Sequence, residues 1–260
     1  MLTTKEIFQT ALAQSAEDLG CRAEDFMSTE NKIVPFRLGK NAKNYYWLPI
    51  GCNFISYGNN IVAAASDELY DIVSEYINRY TFYHCFETPN MLWLNERLAE
   101  KGQTVCFMAE YFLPDMKRLK ELSCPYELRM LEKPDLEGLY QPEWSNAIDK
   151  GRKEFDVLGV GAYDGSELVG LAGCSADAPE MWQIGVDVLP GYRRNGIASA
   201  LTSRIALEII KRGKVPFYCS AWSNIRSAGN GIKSGFMPAW AEMTVKPTEI
   251  VKNINSEQAQ

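Results

Sequence analysis

Seven consecutive residues, Arg193, Arg194, Asn195, Gly196, Ile197, Ala198 and Ser199, have the types and spacing to hold a pyrophosphate. They follow an apolar run ending in Val186, Asp187 and Val188 and a turn at Pro190-Gly191. The first turn of a helix has unpaired N–H groups and the positive end of the helix dipole. Gly196 would let an anion approach the backbone, Ala198 keeps the next contact small, and Arg193 and Arg194 add positive charge. Taken alone, Arg-x-x-Gly-x-Ala also spells an ordinary helix start with solvated arginines, so the surrounding elements must decide.

Those elements are regular. Leu201, Ile205 and Ile209 recur every four residues, which predicts a helix from Gly196 to Lys211 that ends at Gly213. Strands are predicted at Tyr126–Leu131, Val157–Tyr163, Glu167–Cys174, Met181–Val188, Val215–Ala221 and Met237–Val245, with Asp164-Gly165 as a hairpin turn. A helix is expected over residues 134–149, and a short one from about Asn224. The first half predicts a helix at Thr3–Leu19 and strands at Ile33–Phe36, Tyr45–Leu48, Cys52–Tyr57, Ile61–Ala65 and Thr104–Phe112. It also predicts helices near Asp67–Arg79 and Pro89–Lys101. The breakers Pro114 and Pro125 bracket a polar segment, which places a boundary near residue 122. The expected domains are 1–122, 123–248 and a polar, fraying tail, 249–260.

The stretch from Ile184 to Ala198 resembles motif A of the GNAT acyltransferase superfamily. Asn224-Ile-Arg-Ser227, followed by Lys233-Ser-Gly235-Phe236, is similar to its motif B. The resemblance covers roughly residues 125–245. It implies an α/β (α+β) fold: a C-terminal mixed, mostly antiparallel sheet flanked by helices, with an N-terminal α/β domain packed against it. It implies acetyl-CoA as cosubstrate, the backbone of Val186, Asp187 and Val188 on the pantetheine arm, and residues 194–199 around the pyrophosphate. Arg193 supports that loop. Asn224 and Ser227 would lie beside the coenzyme, although Asn224 equally suits a helix N-cap. Length and the closing Gly-Phe-Met-Pro-Ala-Trp-Ala-Glu resemble the two-domain group that includes zwittermicin A resistance-type acetyltransferases. The implied activity is acetyl transfer to a primary amine of a small molecule; the alternative is a catalytically inactive CoA-binding module.

One position departs from the family. The tyrosine often found two residues before the motif B lysine, proposed there to protonate the leaving thiolate, is Gly231 here. Another group or solvent must then supply the proton, or the site does not turn over. Tyr218 is the nearest replacement in sequence, though it reads first as a core aromatic. An amine must be neutral to attack a thioester, so a carboxylate working through water would help. Asp187 is the first candidate base, with Glu180 and Glu242 behind it. Tyr45, Tyr46, Trp47, Phe54, Tyr57 and Trp93 could wall an acceptor pocket or pack a core.

The whole chain narrows the classes further. Its 260 residues carry a formal net charge of −6, which disfavours nucleic-acid and anionic-membrane partners. The N-terminus lacks a signal-peptide layout, and no apolar run reaches membrane-span length. The 7 cysteines are scattered without a C-x-x-C pair, which reads as buried, reduced thiols in a cytoplasmic protein without a metal. The one histidine, His84, has no cluster around it and reads as structural. Neither a Gly-x-x-x-x-Gly-Lys-Ser/Thr loop nor a Gly-x-Gly-x-x-Gly fingerprint occurs.

Overall fold

The computed structural model describes residues 2–47 and 49–258. The chain forms two compact units, each assembled from two stretches. One comprises Met1–Thr10 and Tyr111–Pro238, the other Ala11–Glu110 and Ala239–Gln260. In chain order the elements are α1 (Thr4–Leu19), β1 (Lys32–Pro35), β2 (Cys52–Ser56), β3 (Val62–Ala65), α2 (Tyr70–Arg79), α3 (Thr88–Ala99) and β4 (Gln103–Pro114). Then come β5 (Glu127–Glu132), β6 (Asp156–Asp164), β7 (Glu167–Ser175), β8 (Met181–Val188), α4 (Ile197–Lys211), β9 (Val215–Ala221), α5 (Ile225–Lys233), β10 (Phe236–Pro247) and α6 (Thr248–Gln258). The fold is mixed α/β, with mostly antiparallel strands flanked by helices.

In the Ala11–Glu110/Ala239–Gln260 unit the strands run β1-β3-β2-β10. β1 lies parallel to β3, and the other pairs are antiparallel. Their apolar side chains bury Phe54, Ala63 and Val245 against Val73 and Tyr76 of α2 and Leu94 and Leu98 of α3. The aromatic residues Phe54, Tyr57 and Trp93 serve this packing. Trp93 stacks on Tyr76 with ring centroids 6.0 Å apart, and Tyr57 stacks on Trp240 at 5.5 Å. The side chains of Tyr46 and Trp47 lie outside those described.

In the Met1–Thr10/Tyr111–Pro238 unit the order is β5-β6-β7-β8-β9, antiparallel through β8 and parallel between β8 and β9. Strand alternation gives this sheet two distinct faces. Leu158, Val160, Ala162, Ala172 and Ile184 point to one face, where α4 lies with Leu201, Ile205 and Ile209 buried. A methyl group at Gly170, on that face, would stand 2.9 Å from Ile197 Cγ2. The opposite face carries Gly159, Gly173 and Gly185, which are cross-strand partners in consecutive ladders. Residues 133–152 lie over that face, burying Leu136, Trp144 and Ile148 against Leu131 and Leu171.

Four expectations change. Residues 134–149 form no α-helix but short 3₁₀ turns at Lys133–Leu136 and Pro142–Trp144, with another at Lys150–Arg152. Pro134, Gly138 and Pro142 break the helical ladder, and strand carboxylates capture some of its N–H groups. Tyr45–Leu48 is not a strand: Asn44–Trp47 is a 3₁₀ turn, and Leu48 lies outside the described residues. The tail does not fray after Pro247, because Thr248 opens α6, with its N–H on the Gly102 carbonyl and its hydroxyl 2.7 Å from that of Thr104. The compact units also divide differently from 1–122 and 123–248, since α1, β4 and β10 each pass from one unit into the other. The 7 cysteines are free thiols; Cys52, Cys85 and Cys174 are buried and the rest half-buried. His84 Nδ1 sits 2.7 Å from Glu87 Oε2 on the surface. No helix among the described residues is long and apolar enough to cross a membrane.

Candidate functional site

β8 and β9 pair only through Met181–Ile184 and Val215–Tyr218. Beyond Ile184 the partner of β8 is β7 alone, with Val186 opposite Ala172, Asp187 opposite Leu171 and Val188 opposite Gly170. The strands therefore part at the end where β8 runs into the loop before α4. This leaves the β9-facing N–H groups of Gly185–Val188 available to another chain or ligand.

The loop is shaped by two left-handed residues. Gly196 has φ +80°, which costs little for glycine but roughly 1–2 kcal/mol for a residue with a Cβ. Nothing lies within 4 Å of where its Cβ would stand, so the space over the backbone is open. Arg194 has φ +68° and is the one non-glycine with a positive φ among the described residues. Such strain persists where the surroundings impose it, often at ligand clamps. No side chain caps the N-terminus of α4. By contrast, Asn224 Oδ1 caps α5 by accepting from Ser227 N at 3.1 Å.

The loop residues divide in their roles. Arg194 and Asn195 are exposed, and the Asn195 side chain leans on the Tyr192 carbonyl at 3.4 Å. Arg193 Nε donates to the Val188 carbonyl at 2.9 Å, so this arginine holds the end of β8 as well as adding charge. Ile197 is buried, leaving only its backbone to face a ligand. Ala198 is half-buried. Ser199 turns its hydroxyl to Asn230 Oδ1 of α5 at 3.0 Å, and Asn230 Nδ2 reaches Thr202 Oγ1 at 3.0 Å, which ties the two helices together.

Tyr218 ends the paired part of β9. Its ring stands against Gly231, where a Cβ would be 3.2 Å from Cδ1. Its hydroxyl lies 2.7 Å from Ser227 Oγ. Burial pushes the Tyr218 pKa up, against a smaller lowering from that hydrogen bond, so the group stays protonated at neutral pH.

Asp187 points to the opposite face. Its carboxylate accepts from Asn146 N at 2.8 Å, Asn146 Nδ2 at 2.7 Å and Ala147 N at 2.9 Å. Both oxygens of Asp187, the first candidate base in the sequence, are thus bonded to the turn at 144–147. Glu180 stands before the paired end of β8, away from the parting, and bonds to Lys214 at 3.0 Å. Glu242 belongs to the other unit, buried with Asn53 Nδ2 at 3.0 Å. Sequence reasoning missed Asn146, Asn230 and the glycine row; their only linear signal is an unusual density of glycine in β6–β8. No group of three His, Cys, Asp or Glu side chains among the described residues could hold a metal ion.

A parallel strand pair thus opens beside an uncapped, glycine-started helix, with unpaired backbone groups on both elements. Residues 119–226 match the model of the acetyltransferase (GNAT) family. The match ends inside the motif B region, before Lys233. Three solved structures illustrate the likeness. A GNAT-family acetyltransferase from Colwellia psychrerythraea is 13% identical over 58% of this chain and 60% of its own, TM-score 0.44. A GCN5-related N-acetyltransferase-like protein from Streptococcus suis is 20% identical over 61% and 68%, TM-score 0.44. A GCN5-related N-acetyltransferase from Kribbella flavida is 14% identical over 77% and 88%, TM-score 0.48. The chain thus spans less than two thirds of the Colwellia protein. No protein of curated function matches the sequence.

Proposed function

We propose that this protein transfers the acetyl group of acetyl-CoA to a primary amine of a small molecule, as a two-domain member of the GNAT superfamily. The observation that carries the reading is the parting of β8 from β9 directly before the uncapped start of α4. The residues present fit the coenzyme. Open space lies over Gly196, no side chain caps the first turn of α4, and Arg194 is exposed beside it.

In the reaction the neutral amine attacks the thioester carbonyl, the carbon–sulfur bond breaks, and the products are an amide and free CoA. A β9-facing N–H of Gly185–Val188 stabilises the developing oxyanion. Tyr218, at the fork of the two strands, donates the proton that the departing thiolate takes up, and Ser227 returns it from solvent. With Asp187 committed elsewhere, the ammonium proton goes to water, and positioning of the two substrates supplies the rate. The rival reading, a CoA-binding module without turnover, draws on Gly231 and on the lack of a clear base.

Calorimetry with acetyl-CoA and free-thiol release with spermidine, tryptamine and kanamycin test the proposal. Acetyl-CoA binding and thiol release with at least one amine are expected. Binding without release would favour the rival, and no binding would overturn both.

A further inference from the structure

Three observations meet on the sheet face opposite α4. Gly159, Gly173 and Gly185 stand side by side across β6, β7 and β8. A methyl group at Gly185 would collide with the Asn146 carbonyl oxygen, and one at Gly173 with the Ala147 carbonyl oxygen. The backbone of residues 146–147 thus rests directly on the strands, closer than any side chain would allow. Two positions along β8 from Gly185, Asp187 takes three hydrogen bonds from the same turn. The turn's buried Trp144 and Ile148 anchor it below, while Ser145 and Asn146 remain exposed.

We infer that Asp187 is a positioning residue for the amine acceptor. It clamps the turn at 144–147 to the unpaired stretch of β8, so that Ser145 and Asn146 form a fixed wall beside the place where the acceptor meets the thioester. The inference rests on the acetyltransferase reading. Its physical basis is the split between the two faces: Val186 and Val188 point with α4, towards the coenzyme cradle, and Asp187 points away from it. An acceptor has to approach from the side the coenzyme leaves open. There the turn packs on the face of the strand, and the bond between them is a carboxylate held by N–H donors on both oxygens. Charge-assisted bonds of this kind are the strong ones, and an asparagine cannot reproduce them, because its NH₂ would face a donor.

The test compares Asp187→Asn, Asn146→Ala and the double variant with the unaltered protein. Amide exchange of Asn146 and Ala147 reads the clamp without any substrate, and is expected to accelerate at least ~10-fold in Asp187→Asn. Acetyl-CoA affinity should stay within about 2-fold, since β7 still holds β8 and the coenzyme would use backbone groups. The KM for whichever of spermidine, tryptamine and kanamycin is acetylated should rise about 10-fold. The acidic limb of kcat/KM should persist, and the double variant should be no worse than Asp187→Asn, because both changes break one interaction. Loss of the acidic limb with KM unchanged would overturn the inference and restore Asp187 as the base. Unchanged amide exchange would overturn it as well. Failure of the unaltered protein to bind acetyl-CoA would instead sink the acetyltransferase reading, and would show as such because the exchange measurement needs no ligand.

Discussion

The two faces of β7–β8 use the same strands and solve the same problem, how to bring a second layer close, in opposite ways. On the α4 face, Gly170 admits the side chains of Ile197 and Leu201, whose nearest atoms would lie 2.9 and 3.0 Å from an added Cβ. On the other face, Gly173 and Gly185 admit main chain, the carbonyls of Ala147 and Asn146. Side-chain ends can move when crowded; a backbone carbonyl on a clamped turn cannot. The first face is therefore adaptable packing, and the second is a fixed platform.

The sharpest way to break this comparison is a matched pair of alanine substitutions. Gly185→Ala is expected to destabilise by about 3 kcal/mol, and Gly170→Ala by about 1 kcal/mol. Denaturant midpoints at constant m-value decide it, and equal losses would erase the distinction. On the α4 face, Gly196→Asp puts a carboxylate and a strained φ where the proposed coenzyme's phosphates would lie. Acetyl-CoA affinity should fall at least ~100-fold by calorimetry while the fold persists. Next, Tyr218→Phe keeps the ring against Gly231 and removes the proton donor. Turnover should drop about 10-fold or more, with acetyl-CoA affinity unchanged, and unaltered turnover would return Tyr218 to a packing role.

The smallest effect concerns the second anchor of the 133–152 segment. Asp156 of β6 accepts from Asp149 N at 3.1 Å and from the Tyr140 hydroxyl. Burial pushes its carboxyl up to about 6, against those bonds and the nearby Arg152. Between roughly pH 4 and 6 the folded chain keeps a proton that the unfolded chain has lost. The stability this provides is complete below about pH 4 and disappears as pH rises through 6. Linkage caps the effect at roughly 3 kcal/mol, and with local relaxation about 1 kcal/mol is expected. Between pH 7 and pH 5, the melting temperature of Asp156→Asn should therefore gain less than that of the unaltered chain.

Much of the α4 face was legible in the sequence. The four-residue recurrence of Leu201, Ile205 and Ile209, the turn at Pro190 and the glycine at 196 all act between near neighbours. The opposite face was not, because its pieces are far apart in the chain. Gly159, Gly173 and Gly185 become neighbours only once the register of three strands is set, and no spacing rule announces that Asp187 will meet Asn146. The failed helix at 134–149 has the same origin. Its apolar residues have helical spacing, but prolines interrupt the ladder and two strand carboxylates compete for its N–H groups.

The bipartite make-up of the units has a consequence for how the protein is made. β2 sits between β3 and β10, so residues 52–56 wait for residues 241–245. At ribosomal speeds the delay is on the order of ten seconds or more. Throughout it, the strand that carries Phe54 and Ile55 offers one unsatisfied edge to any other nascent chain. Growth temperature and chaperone supply should therefore govern the yield of intact protein more than the final stability does.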